Sequence, residues 1–128
     1  MGYVAIVCAL ALIQYTLFGF AVGKARQTYG VKAPANSGHI DFERVNRVHA
    51  NTGEQLLSFI PGLWMFAYFV NAEIAAALGV VYLIGRQIYS SGYTKAADQR
   101  GRGMIIGFIP TVILVLGALV GGVMHVLG

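Results

Sequence analysis

The sequence predicts an all-α integral membrane protein, a bundle of four transmembrane helices forming a single domain over residues 1–128. The chain is 57% hydrophobic and only 11% charged, whereas an ordinary soluble domain is about 25% charged. The runs 1–23 and 103–124 contain no charged residue, and a span needs roughly 20 mainly apolar residues. A soluble helical bundle is the alternative, and runs of this length disfavour it.

The helices are expected at residues 2–28, 42–71, 73–93 and 100–127. The first and the last helices are predicted directly from the charge-free runs, which make up most of their length. The apolar part of the second, Gln55 to Ala72, is short for a span, so this helix is expected to begin earlier, in a polar stretch. The third is the least certain, because its apolar run 74–85 must extend through Arg86 to cross a bilayer.

Local signals predict how these helices begin, bend and pack. Asp41 is placed to cap the second helix with its carboxylate. Pro61 and Pro110 predict kinks in the second and fourth helices. Glycines four residues apart allow helix backbones to approach closely in lipid. Two such pairs occur in the last helix: Gly103 with Gly107, and Gly117 with Gly121.

The basic residues predict membrane orientation rather than a nucleic-acid partner, although the formal net charge is +4. All nine lie in or beside the connections after the first and third helices: Lys24, Arg26, Lys32, Arg44, Arg47, Arg86, Lys95, Arg100 and Arg102. The positive-inside rule places such connections in the cytoplasm. Both termini are then expected on the opposite side. No metal-binding pattern, such as HExxH or paired cysteines, occurs in the sequence.

The stretch ERVNRVHANTGE, residues 43–54, concentrates polar groups just before an apolar span. On a helical wheel its polar residues share an arc of about 100°: Glu43, Arg44, Arg47, Asn51 and Glu54. His49 points to another side. Charges that run into a membrane span are costly and usually functional. The alternative is a solvated helix entrance with a local ion pair, such as Glu43 with Arg47.

A second polar cluster lies between the third and fourth helices. Arg86, Tyr89 and Tyr93 form one helical stripe, and Arg100 and Arg102 then open the last helix. A guanidinium stays charged and stabilises an anion in a site with little water. Tyrosines near a helix end also form membrane-interface belts, which is the alternative. Together the two clusters suit a small ligand with charges of both signs that meets a lipophilic one.

The stretch FERVNRVHANTGE resembles the signature of the MAPEG family, the membrane-associated proteins in eicosanoid and glutathione metabolism. The resemblance extends to KAR at the end of the first helix, VYLIGRQIYSSGY in the third and the arginines that open the fourth. It implies a glutathione-dependent transferase that acts on a lipophilic electrophile, with peroxidase activity left open. It also implies a homotrimer within membrane lipid, with glutathione held between neighbouring subunits.

The resemblance also implies roles for individual residues. Arg100 is expected to be the catalytic residue that stabilises the thiolate, with Arg102 as its rival. Glu54 is expected to pair with the ammonium group of glutathione and Arg47 with a carboxylate, while His49 reaches a ligand of the adjacent subunit. The implied glutathione ligands are Arg26, Arg47, His49, Asn51, Glu54, Arg86, Tyr89, Tyr93 and Arg102.

Some residues depart from the family pattern, namely Gln27, Thr52 and Gln55. These departures leave the identity of the lipid substrate open. They bear less on the expected binding of glutathione. Two other functions remain as alternatives: a non-catalytic lipid-binding scaffold of the same family, and an unrelated small membrane protein such as a transport subunit. The short loops favour a bacterial inner membrane as the location.

Overall fold

A computed structural model describes residues 1–95 and 101–128 of the chain. These residues form four α-helices: α1 (Gly2–Tyr29), α2 (Ile40–Phe69), α3 (Ala72–Lys95) and α4 (Gly101–Leu127). Loop 1, residues 30–39, joins α1 to α2, whereas α2 and α3 are separated only by residues 70–71. The all-α class predicted from the sequence is confirmed.

The helices α2 and α3 form the centre of the bundle, and α1 and α4 each pack against both of them. Consecutive helices run in opposite directions. Val4 near the start of α1 shares a core with Leu63 near the end of α2, while Ala25 near the end of α1 packs with Phe42 at the start of α2. Loop 1 and the start of α4 therefore lie at one end of the bundle, the loop end. Both termini lie at the other, the terminal end.

Three helices are long and apolar enough to span a membrane: α1, α4 and Ala72–Tyr93 of α3. Their outward side chains are large and apolar, as in Leu17 and Leu116, which suits contact with lipid. Among the described helices, α2 alone is not apolar enough to span a membrane by this measure, because charged and amide side chains fill its first half. The expectation that the third helix would be the least certain span is therefore wrong.

The start of α2 is capped by a different residue from the one expected. His39, not Asp41, is the N-cap, and its Nδ1 accepts a hydrogen bond of 3.1 Å from the backbone N–H of Asp41. The helix therefore begins at Ile40. Asp41 lies in its first turn, where a negative charge interacts favourably with the helix dipole. The prediction that Asp41 caps this helix is wrong.

Glycines bring α4 close to its two neighbours. A Cβ built on Gly103 would collide with the backbone of Tyr89 in α3, and one on Gly117 would collide with the ring of Phe66 in α2. The predicted close packing of the last helix is confirmed. Because Gly103 lies in the first turn of α4, this contact places that turn directly beside Tyr89.

Candidate functional site

An ion pair between Arg47 and Glu54 lies on the outer face of α2. Arg47 Nη1 is 3.3 Å from Glu54 Oε1, and the side chains are 49% and 57% exposed. Seven residues correspond to nearly two helical turns, so both side chains project from the same face. Arg47 thus pairs with Glu54 rather than with Glu43, whose carboxylate instead accepts a 3.4 Å hydrogen bond from the backbone N–H of Gly38.

A polar cleft of about 490 Å³ opens beside Arg47 at the loop end. Small-molecule sites typically measure about 300–1,000 Å³. Loop 1, α2 and α3 all contribute to its lining, which consists of Asn36, Glu43, Asn46, Arg47, Ala50 and Tyr93. Charges of both signs, amides and a phenol surround this space. The cleft therefore suits a polar, peptide-like ligand that carries both charges.

Loop 1 folds back to close one side of this cleft. Arg26 Nη1 donates a 2.8 Å hydrogen bond to the carbonyl of Ala35, and its guanidinium lies 4.8 Å from the ring centroid of Phe42. Asn46 Nδ2 donates to Asn36 Oδ1 at 3.4 Å. Within one subunit, Arg26 thus holds loop 1 in place, and its predicted contact with glutathione stays a prediction.

A second group of polar residues lies inside the bundle around Arg86. Its side chain is only 3% exposed. Its Nη2 donates to Asn51 Oδ1 at 2.9 Å and to Thr52 Oγ1 at 2.8 Å, and its guanidinium lies 4.2 Å from the ring centroid of Tyr89. Asn51 and Thr52 are buried as well. Arg86 therefore joins α3 to α2 from within.

Two of the tyrosines of α3, Tyr89 and Tyr93, connect this buried group to the cleft. Tyr89 is 1% exposed, and its ring centroid is 5.5 Å from that of Tyr93, which lines the cleft. A membrane-interface belt requires a tyrosine that faces the lipid headgroups. Burial of Tyr89 inside the bundle contradicts that alternative for this residue.

His49 lies on the side of α2 that faces α1, away from Arg47 as the helical wheel predicts. Its ring stacks on Tyr15 with centroids 4.4 Å apart. A Cβ built on Gly19 would lie 3.1 Å from His49 Nε2. His49 thus packs against α1 of the same chain. Its contact with a ligand of the adjacent subunit stays a prediction.

The start of α4 is the remaining part of the site. Arg102 is exposed in its first turn, which contains no acidic residue. The backbone N–H groups at a helix start and the helix dipole favour a nearby anion, and Arg102 adds a full positive charge. Arg100, the expected catalytic residue, lies outside the described residues 1–95 and 101–128.

The chain matches the model of the MAPEG family over residues 4–120. It belongs to the MAPEG family. The resemblance found in the sequence is thereby confirmed. With three helices apolar enough to cross a bilayer, this MAPEG protein is an integral membrane protein.

Its relatives include proteins named for glutathione and leukotriene chemistry. An uncharacterized protein of Synechocystis is 50% identical over 90% of this chain and 84% of its own length. Human microsomal glutathione S-transferase 2 is 40% identical over 90% of this chain and 79% of its own. Bovine leukotriene C4 synthase is 33% identical over 78% and 67%, respectively. These relatives support a glutathione-related transferase activity at the level of the family.

Some residues of the site in this MAPEG protein were not selected from the sequence. Asn46 lies roughly 100° from Arg47 on the helical wheel, so periodicity alone removes it from the polar face, yet both line the cleft. Asn36 carries no signal of its own, because its position depends on how loop 1 folds. Thr52 is noted in the sequence only as a departure from the family pattern, although its hydroxyl accepts a hydrogen bond from Arg86.

Proposed function

We propose that this MAPEG protein is a membrane-bound glutathione transferase that joins the thiolate of glutathione to a lipophilic electrophile. The observation that carries the proposal is the exposed Arg47–Glu54 ion pair, of which Arg47 also lines the polar cleft. The names of the human and bovine relatives support the same chemistry.

The ion pair is complementary to the γ-glutamyl end of glutathione, which carries an ammonium and a carboxylate on one carbon. Glu54 binds the ammonium and Arg47 binds the carboxylate, so the ligand replaces one internal ion pair with two external ones. An exposed ion pair contributes only about 0.2–1 kcal/mol. Opening it to admit the ligand therefore costs little.

Catalysis in this proposal depends on forming the thiolate. A free thiol has a pKa of about 8.5, so only a few per cent is ionised at neutral pH. Arg100 is the proposed stabiliser, Arg102 is the alternative, and the N-terminal turn of α4 favours the same anion. Lowering the thiol pKa by about two units makes the thiolate dominant at neutral pH. The thiol proton passes to solvent, and the sulfur then bonds to the electrophilic carbon as the leaving group departs with its electron pair.

A homotrimer with glutathione between subunits is part of the proposal. The face of α2 that carries Arg47 and Glu54 continues through exposed apolar residues, with Leu57 79% and Tyr68 75% exposed. Charged side chains that face lipid are costly. A neighbouring subunit over this face removes that cost and completes the walls of the site. The electrophile enters from the surrounding lipid along the apolar helix surfaces.

The proposed location is a bacterial inner membrane, with loop 1 and the α3–α4 connection in the cytoplasm. The relative from Synechocystis supports a bacterial membrane. The placement of the basic residues at the loop end supports the orientation.

The proposal is tested with the protein purified in detergent. Glutathione binding is measured by equilibrium dialysis, thiolate formation by ultraviolet absorbance, and turnover with an electrophilic nitroaryl halide. We expect saturable binding, a thiolate signal and conjugation. The absence of saturable binding would refute the proposal, and binding without a thiolate signal or turnover would support the non-catalytic scaffold instead.

Single substitutions assign the catalytic arginine. We expect Arg100→Ala to abolish the thiolate signal while glutathione still binds, and Arg102→Ala to retain most of it. The reverse result assigns the role to Arg102. Lys32→Ala, which removes an exposed cation from loop 1, is the matched control and should leave binding and turnover unchanged.

A further inference from the structure

Arg86 is a buried cation that pairs with none of the described carboxylates. Buried arginines are rare unless they are paired, and this one is 3% exposed. Its contacts include the oxygens of Asn51 and Thr52 and the ring of Tyr89, whereas its Nε–H is buried without a hydrogen-bond partner among the described residues. The cost of burying this charge is therefore only partly offset by hydrogen bonds and a ring contact, all made to residues next to the proposed glutathione site.

We propose that Arg86 is a positioning residue, which fixes the side-chain amide of Asn51 so that its NH₂ group is presented to glutathione. This inference rests on the proposed function and deepens it, because it names the kind of group that Asn51 binds. The family resemblance implied a different role for Arg86, that of a direct glutathione ligand.

The hydrogen-bonding capacity of arginine determines how the amide is turned. A guanidinium has five N–H donors and no acceptor. The atom of Asn51 that lies 2.9 Å from Arg86 Nη2 must therefore be its oxygen, as the structure has it. The two N–H donors of Asn51 are left for other partners. Asn51 lies about 40° from Arg47 around the helix axis, so the residue itself is on the flank of α2 next to the ion pair.

Thr52 holds Arg86 in this position. The hydroxyl of Thr52 donates its single proton to the carbonyl of Val48 at 2.7 Å, so its lone pairs are available to accept from Arg86 Nη2 at 2.8 Å. The same guanidinium nitrogen is thus held by two oxygens, and the ring of Tyr89 lies against the group. Rotation of the guanidinium would break several contacts at once, so the amide of Asn51 has one favoured orientation.

The orientation predicts what Asn51 recognises. An NH₂ group donates, so its partner in glutathione must be an acceptor: a carboxylate oxygen, a peptide carbonyl oxygen or the thiolate. An Asn51 turned the other way would instead bind an N–H group of the peptide. The inference therefore separates two chemically opposite modes of binding.

The decisive variant is Asn51→Asp, measured by glutathione dialysis and by unfolding in detergent. An aspartate still accepts from Arg86 with one oxygen, so we expect the thermal midpoint to stay the same or rise. Its second oxygen presents an acceptor to the ligand, so we expect the Kd for glutathione to rise at least tenfold. Unchanged affinity in Asn51→Asp would overturn the inference.

Arg86→Met tests the positioning itself, because it keeps an unbranched apolar stem and removes the donors. We expect the Kd to rise about tenfold, which corresponds to about 1.4 kcal/mol, and expect partial recovery in Arg86→Lys. Gln14→Met is the matched control, since it removes another side-chain donor within the bundle, to the carbonyl of Leu83 at 3.0 Å. It should lower the midpoint without changing the Kd. An Arg86→Met protein that is less stable but binds glutathione normally would show a purely structural role.

Failure of the inference and failure of the proposed function give different results. If the unchanged protein does not bind glutathione, the proposed function fails, and so does the part of the inference that names the ligand. The Arg86–Asn51 link is then still decided by unfolding. Non-additive effects of Arg86→Met and Asn51→Leu on stability support it, whereas additive effects overturn it.

Discussion

The two ends of the bundle are built from different interactions. Towards the terminal end the buried side chains are mainly apolar: Leu63 is fully buried, and the rings of Phe59 and Tyr82 stack with centroids 3.8 Å apart. At the loop end the buried side chains include Arg86 and Asn51, which hydrogen bond to each other. We infer a division of roles between the two ends, in which apolar packing supplies most of the stability and polar contacts set the geometry of the proposed ligand site. Substitutions at the two ends should therefore have separable effects on stability and on glutathione binding.

The largest loss of stability is expected from Leu63→Ala at the terminal end. Truncating a fully buried leucine to alanine costs about 2–5 kcal/mol, because apolar contacts are lost and a cavity remains. Unfolding in detergent measures this loss. The remaining folded protein should bind glutathione with unchanged affinity. Leu119→Ala, at a residue that is 64% exposed on α4, is the control and should change stability little. Weaker glutathione binding by folded Leu63→Ala would contradict this division of roles, because it would show that packing at the terminal end also sets the geometry of the proposed site.

Gly103→Ala should affect both properties, because its contact lies at the loop end. The added methyl group meets the backbone of Tyr89, which cannot rotate away as a side chain can. Overpacking of this kind costs about 1–3 kcal/mol, and it moves the start of α4 away from the site. We expect lower stability and weaker glutathione binding. Gly122→Ala, where a methyl group meets nothing within 4 Å, should change neither.

Arg26→Met should loosen loop 1 while leaving the rest of the bundle folded. The substitution removes the hydrogen bond to Ala35, and a typical intramolecular hydrogen bond contributes about 0.5–1.5 kcal/mol. Hydrogen exchange is expected to become faster for the amides of residues 31–39 and to stay unchanged in the apolar half of α2. The control is Lys24→Met, an exposed cation of the same helix. Equal exchange rates in the two variants would show that Arg26 does not hold the loop.

Glu54→Gln should change stability least and binding strongly. The Arg47–Glu54 pair is about half exposed, and such pairs contribute at most about 1 kcal/mol. Glutathione affinity should fall by at least tenfold, because the ammonium loses its carboxylate partner. Dialysis and unfolding on the same preparation separate the two effects. Glu73→Gln, an exposed carboxylate at the terminal end, should alter neither; equal affinities in the two variants would remove Glu54 from the site.

The sequence was most informative where one periodic pattern determines the structure. The charge-free runs predicted α1 and α4, because a span requires length and apolarity and both can be read directly. The helical wheel also separated the side of Arg47 and Glu54 from the side of His49, which packs against Tyr15 of α1. These features depend only on the local helix and its surroundings.

Features that depend on contacts between distant segments could not be read in this way. The fold of loop 1 brings Asn36 to Asn46, and no periodicity encodes that approach. Likewise, the sequence places Arg86 in the half of α3 that lies nearer the loop end. It does not show that the guanidinium reaches Asn51 in another helix. The family resemblance implied that Arg86 binds glutathione directly, and that role stays a prediction. A resemblance in sequence does not by itself distinguish a residue that binds a ligand from one that orients its neighbour.

The polar first half of α2 has a consequence for how the chain enters the membrane. Taken alone, α2 falls short of the apolarity that suits a span, whereas α3 reaches it and follows after only residues 70–71. We therefore expect α2 and α3 to insert together as a hairpin, with the polar stretch of α2 carried in by its neighbours. The same polar groups that form the candidate site would then make insertion of α2 depend on the helix that follows it.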